Sequence, residues 1–350
     1  MRYLLIALLP LCLFIAGCGN PTEVVPDVSK IEVSLDTRRF DKDLYALDTN
    51  HIGEGLQKLS AKYPDFLNYF LDTIMAYGIH GNYNDTVAGI REGVKPFLTY
   101  KDFVLLEDSI SGHYPDTKDV DAELVDGFRF MKYYLPDYKV PRIIYLNMGL
   151  SKWSCFALDP QTICVGLDMF LGPQFPFYPS IGVQSYMGAH FRKSYIPVSL
   201  FSQVYQTLHP FNADDKTLLD QMIQHGKEQY FLHKVLPHKA DSVLFGFRQM
   251  QVQWCGANEE LIYNFFIHQN LLYDKDVHDI HPYITDGPFA KNLESVTDSV
   301  KVSPGNIGSW LGYKIVCSYM NQHPKTTLAQ LLNDPIDATR FLDEAKYKPK

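Results

Sequence analysis

Apolar positions along this chain recur with two different periods, and the switches between them mark its organisation. Residues 30–39 alternate, with Ile31, Val33 and Leu35 standing between polar neighbours, which predicts a strand. Residues 44–77 carry apolar positions at helical spacing on both sides of Pro64. That gives one broken helix or two in succession, because proline lacks the N–H an interior helical position donates. A further helix is expected within 85–106. Residues 122–134 read as an amphipathic helix, with Leu124, Phe128, Met131 and Tyr134 on its apolar stripe. The middle of the chain turns to short apolar runs at 141–147, 155–158 and 162–167, the last two separated by Asp159-Pro160-Gln161. That is a hairpin signal, so residues 140–168 should form a small, mostly antiparallel sheet. Residues 172–196 are rich in Gly, Pro and aromatics, among them Phe175, Phe177, Tyr178, Tyr186 and Phe191, and read as a long structured loop over the sheet.

From residue 198 the period is helical again, with helices expected over 198–208, 216–235, 258–273, 307–321, 328–333 and 336–344. Asn258 before Glu259 and Glu260, and Ser303 before Pro304, look like helix starts. Gly305 and Gly308 have helix-packing spacing. The apolar stripes nominate Ile223, Phe231, Phe265, Leu272, Trp310 and Val316 for the core. No internal repeat or Pro/Ser-rich linker follows residue 30. Residues 30–350 are therefore expected to form a single α+β domain, mostly helical, beside a small mixed or antiparallel sheet.

The first residues have another purpose. Arg2 is a short basic region, and residues 3–16 are an apolar run too short for a comfortable membrane span. Ile15-Ala16-Gly17-Cys18 then resembles a bacterial lipobox. Residues 1–17 are expected to be a lipoprotein signal peptide, Cys18 the lipidated residue, and residues 18–29 a flexible tether to a membrane. Cys155, Cys164, Cys255 and Cys317 remain in the body of the chain. Cys155 and Cys164 flank the hairpin turn, so a cross-strand disulfide is an option, with buried free thiols the favoured alternative. The 32 basic and 40 acidic side chains, with no basic cluster, argue against nucleic-acid binding.

Twelve histidines raise the question of a metal. A zinc hydrolase built on a helix needs His-Glu-x-x-His, two imidazoles on one face and a carboxylate base between them. The chain does not contain it. The nearest approach is Tyr205-Gln206-Thr207-Leu208-His209, with His225-Gly226 about sixteen residues further on. Cys-x-x-Cys, Gly-x-Ser-x-Gly and the phosphate-binding glycine loops do not occur either. Trp254 and Trp310 read as core residues rather than a sugar platform.

A resemblance rests on longer stretches. These are the lipobox; Leu218 to Lys227 with its His225-Gly226; Gln251-Val252-Gln253-Trp254; Ala257-Asn258-Glu259-Glu260 with Phe265-Phe266; Leu271-Leu272-Tyr273; Pro304 to Gly312; and the basic tail Ala345 to Lys350. In this order they resemble the gliding-motility lipoprotein GldB family of Bacteroidota, over nearly the whole mature chain. That family is similar in turn to predicted zinc-dependent peptidases with a His-Glu-x-x-His helix and a later Glu-Gly. The resemblance implies a zincin-like helical core, with ligand positions at Tyr205, His209 and His225 and the base position at Gln206. Tyrosine is protonated at pH 7 and glutamine cannot accept a proton. The expectation is therefore a degenerate site: no catalytic residues, no cofactor and no metal, with His209 and His225 the weak candidates should one bind. The resemblance further implies an envelope lipoprotein, on the inner or outer membrane, with protein partners in the gliding and type IX secretion apparatus. The rival reading is a zinc metallopeptidase with an atypical ligand set.

Overall fold

The structure is a computed structural model and describes residues 24–151, 154–293, 302–335 and 337–350. Residues 1–17 and Cys18 lie outside the described residues.

Four short strands make one mixed sheet. Strand β1 (Thr37–Arg39) leads directly into helix α1 (Phe40–Tyr45), followed by α2 (Ile52–Lys62), two helical stretches with π-type turns at Phe70–Ile74 and Gly89–Val94, α3 (Lys101–His113) and α4 (Lys118–Tyr134). Strands β2 (Arg142–Leu146), β3 (Cys155–Asp159) and β4 (Thr162–Gly166) follow. The order across the sheet is β1-β2-β4-β3. β1 and β2 pair in parallel, as do β2 and β4, and only the β3–β4 hairpin is antiparallel. The expectation of a mostly antiparallel sheet is thus corrected to a mixed one. The hairpin was legible, but its return strand slots beside β2 and leaves β3 at the edge. Burial on both faces is the mark of such parallel strands, and β2 and β4 are buried almost throughout.

The sheet divides the apolar interior. Ile143, Tyr145, Ile163 and Val165 face the larger cluster, whereas Ile144, Leu146 and Cys164 face a smaller one built on Phe40, Phe66, Phe70 and Phe97. This is the two-residue alternation of a strand applied to both faces. It also settles the cysteines. Cys155 is opposite Val165 and Cys164 opposite Phe156, so the two thiols point to opposite faces, and all four body cysteines are free.

The expected strand over 30–39 shortens to β1. Thr37 pairs with Ile143 and the Asp36 carbonyl accepts the Ile143 N–H, but β2 begins at Arg142, so residues 31–35 have no strand to pair with. Ile31, Val33 and Leu35 still pack on the larger cluster. Val28 is buried there too, so the packed chain begins inside the segment read as tether.

The rest is helical. Residues 172–195 cover the sheet through short 3₁₀ turns, and then come α5 (Ile196–Leu208), α6 (Leu218–Val235), α7 (Gln249–Ala257), α8 (Glu259–His268), α9 (Val277–Ile284), α10 (Ile307–Gln322), α11 (Leu328–Asn333) and α12 (Ala338–Ala345). α6 starts at a capping box. The Asp220 N–H donates to Thr217 Oγ1 at 3.1 Å, and the Thr217 N–H donates to Asp220 Oδ2 at 2.9 Å. Asn258 stands at the N-cap of α8 as expected, without a capping bond from its side chain, whereas the start at Ser303 fails. The Asn258 amide donates back to the Trp254 carbonyl at 2.8 Å, and the Ser303 hydroxyl accepts from the Ala290 N–H at 3.2 Å while α10 starts only at Ile307. α8 ends at His268 rather than 273, because Asn270 takes a left-handed backbone (φ 55°). All six nominated core residues are buried.

Gly226 and Gly312 bring α6 and α10 together backbone to backbone. A Cβ at Gly312 would stand 1.8 Å from the Met222 carbonyl oxygen, and one at Gly226 would stand 2.3 Å from the Gly312 carbonyl carbon. Gly312→Ala should therefore cost about 3 kcal/mol, the upper end of ordinary overpacking, because backbone rather than a flexible side chain must yield. Urea unfolding measures this, and a loss under 1 kcal/mol would mean that the helices part easily.

Candidate functional site

The residues singled out from the sequence lie where α5 packs on α6. Pro197 occupies the first turn of α5, and Val198, Phe201, Val204 and Tyr205 form its buried face. Tyr205 points inward. Its hydroxyl donates to the Gln224 carbonyl at 3.5 Å, and its ring lies 5.7 Å from Phe231 and 5.4 Å from His209. Burial, and next the charge of Glu228, drive its pKa far above 10, so the phenol keeps its proton. His209 closes α5, its N–H bonded to the Tyr205 carbonyl at 2.8 Å. The residue that reaches it from α6 is Gln224, whose amide donates to the His209 carbonyl at 3.5 Å. No hydrogen bond or ring contact joins His209 to His225 among the described residues.

Both imidazoles are held toward the neutral form. Burial lowers the pKa of His225, and burial followed by the positive charge of Lys227 lowers that of His209. Lys227 is itself buried, which brings it down to about 8, and its ammonium donates to the Asp334 carbonyl at 2.9 Å.

Gln206 is bound into a network the sequence did not disclose. Its amide donates to the Ser202 hydroxyl at 3.3 Å, and that hydroxyl donates to the Glu228 carboxylate. Burial raises the pKa of Glu228, opposed by the bonds from Ser202 and Gln206. The signal available was spacing. Ser202 is one turn before Gln206, and Glu228 one turn after His225, on helices long enough to keep those faces. Among the described residues, no three His, Cys, Asp or Glu side chains come together to hold a metal ion. Two cavities of about 520 and 640 Å³ open elsewhere, around Asp36 and Arg38 near the start of the parallel strands, and touch none of Tyr205, Gln206, His209 and His225.

What the arrangement offers chemically is a carboxyl, a hydroxyl and an amide tied to one another, with the His209 ring against Tyr205 and His225 one turn before Glu228 on α6. The molecule is thus a helix-rich α+β protein with polar side chains bonded to one another along the seam between two packed helices. The family model described as gliding motility protein GldB matches residues 21–349, so the chain belongs to that family. Searches among curated proteins and among solved structures give no match. Membership makes it a gliding-motility-related lipoprotein of the cell envelope. Among the described residues no helix is long and apolar enough to cross a membrane.

Glu228→Gln tests the electrostatics. A carboxyl whose folded pKa lies above its unfolded value, near 4.3, binds protons more tightly when folded. Its stabilising effect is complete below the unfolded pKa and is lost as pH rises through the folded one. The variant should match wild type near pH 4 and be the more stable at pH 8, read from urea midpoints at both. Equal pH dependence in the two proteins would mean that Glu228 is hydrated.

Proposed function

We propose that this lipoprotein serves the gliding and linked type IX secretion apparatus as a binding or assembly component, tethered by a lipid on Cys18, and that the α5–α6 seam is a degenerate peptidase-like cleft. The observation that carries this reading is the engagement of the two altered positions. Tyr205 keeps its proton and donates a hydrogen bond to the Gln224 carbonyl, and the Gln206 amide, though exposed, is tied to the Ser202 hydroxyl. A hydrolytic zinc site needs three ligands, an open position and a base. A fold that retains the helices without that set is available for recognition.

Two experiments test the proposal. Cys18→Ser should release the protein from membranes, followed by cell fractionation. Undiminished membrane association would refute the lipid tether. His209→Ala combined with His225→Ala should leave colony spreading near wild type, provided the purified variant unfolds at the same urea concentration. The purified wild-type protein should carry no stoichiometric zinc and should not cleave casein. One equivalent of zinc, with hydrolysis that disappears in the double variant, would establish the zinc metallopeptidase instead.

A further inference from the structure

The three parallel strands β1, β2 and β4 all end at the same side of the sheet, and each delivers a polar group there. Arg39 is the last residue of β1 and Asp41 lies two further on, in α1. Asn147 follows β2 directly, and Asp168 stands two residues after β4. Glu107 reaches in from α3. The side chains are sealed, with relative exposures of 1% for Asp41, 6% for Glu107, 1% for Asn147 and 0% for Asp168.

The charges in this cluster do not balance. The Arg39 guanidinium is spent on Asp41, donating from Nε at 2.9 Å and from Nη2 at 2.5 Å, and its remaining arm donates to the Tyr114 carbonyl at 2.9 Å. Glu107 receives only neutral donors, Asn147 Nδ2 at 3.1 Å and Ser111 Oγ at 3.2 Å. Asp168 Oδ2 accepts the Leu150 N–H at 2.7 Å, and its Oδ1 is buried without a hydrogen-bond partner. The other groups facing the cluster add no cation. Tyr45 comes from α1, and Tyr145 from β2, whose hydroxyl donates to Asp121 of α4 at 2.7 Å. Neither buried carboxyl therefore has an ion pair of its own, Glu107 feeling the Arg39 charge only through space, and a buried unpaired carboxylate is costly until it takes up a proton.

The same two acids hold a strained turn. Asn147, bonded to Glu107, also accepts the Gly149 N–H on its side-chain oxygen at 3.0 Å, and Asp168 holds Leu150. Gly149 and Leu150 have φ of 63° and 62° in succession. For leucine the left-handed region costs about 1–2 kcal/mol. The chain runs on from this turn toward Ser154, whose hydroxyl lies 3.4 Å from that of Ser199 on α5, and so toward edge strand β3.

We propose that Glu107 and Asp168 form a proton-binding site that clamps the 147–150 turn, holding it when protonated and loosening it when both carboxyls ionise. Burial raises Glu107 to about 7 and Asp168 to about 6, and the charge of Asp41 adds to both; burial outweighs the bonds from Asn147, Ser111 and the Leu150 N–H and the charge of Arg39, all of which favour the ionised form. The clamped state thus binds the protons more tightly. Its stability is complete near pH 4 and declines as pH rises through 6 and 7.

Amide hydrogen exchange on the full chain at pH 5.5 and 8.5 tests the proposal, with each rate divided by the intrinsic rate at that pH. Protection of the Leu150 amide should fall about tenfold or more on going to pH 8.5. Amides of Ile315 and Val316, inside α10, should keep theirs. Glu107→Gln, which leaves an oxygen for Asn147 and carries no charge, should remove most of the loss at Leu150. Unchanged protection of Leu150 in wild type, or an equal loss in α10, would overturn the proposal whether or not the variant folds. An undiminished loss in a folded Glu107→Gln protein would overturn it as well.

Discussion

Backbone meets backbone where α6 crosses α10, and that contact fixes how α6 is turned. Met222 and Gly226 lie against Gly312, and Gly308 lies against Met222 and the Tyr283 carbonyl of α9. Positions four apart fall 40° from one another on a helix, so 222 and 226 share one side. Gln224 and Glu228 share the opposite side by the same rule. Once the glycines set the α10 side of α6, its polar pair points away from α10, and Tyr205, Ser202 and His209 of α5 meet it there. The polar seam is therefore a consequence of glycine spacing in a different helix. Filling the space at Gly312 would disturb the Ser202–Glu228 bond without touching either residue.

The sheet plays the same part for the first half of the chain. Its two faces carry separate apolar clusters, so α1, α2 and the π-type turns pack on one side while α4, α5 and α6 pack on the other. The sheet's ends have different chemistry as well. The ends of the parallel strands meet a closed polar cluster at Asp168, whereas the beginnings open into solvent-filled cavities around Asp36, Arg38 and Arg142. Open α/β sheets commonly place ligand sites beyond the carboxyl ends of parallel strands. Here that position is occupied by the protein's own side chains.

What could be read from the sequence follows the range of the forces involved. The long helices and the hairpin were legible because periodicity is local, and the fold class followed from them. Strand direction was not, since the continuous apolar run Ile143 to Leu146 tells that both faces are covered without naming the direction of the neighbouring strand. α7 and α9 escaped notice, the first with little amphipathic pattern and the second with Pro282 inside it. Asn258 and Ser303 have the composition of caps, but the Asn258 side chain turns back to the preceding turn at Trp254 and the Ser303 side chain is taken by Ala290. In the seam, His209 and His225 stood out by type, while the partnership of Ser202 with Glu228 spans two helices and has no motif. Glu107 and Asp168 are separated in sequence by all of α4 and the strands β2, β3 and β4, and no short-range signal connects them.

Recruiting a metal at the seam would have to work against what is already formed. His225 and Glu228 are neighbours on one helical face, and neutral imidazole is the form a cation binds. The carboxyl, however, is held by Ser202 and Gln206, and its burial favours the protonated state. Bringing it to a cation would break the Ser202 bond, leave that hydroxyl and the Gln206 amide to find new partners, and ionise a buried acid. The lost hydrogen bonds and the ionisation of a buried acid both oppose what coordination at His225 would gain. A protein partner that places its own donors against the exposed Gln206 pays no such cost, because the network can stay intact beneath it.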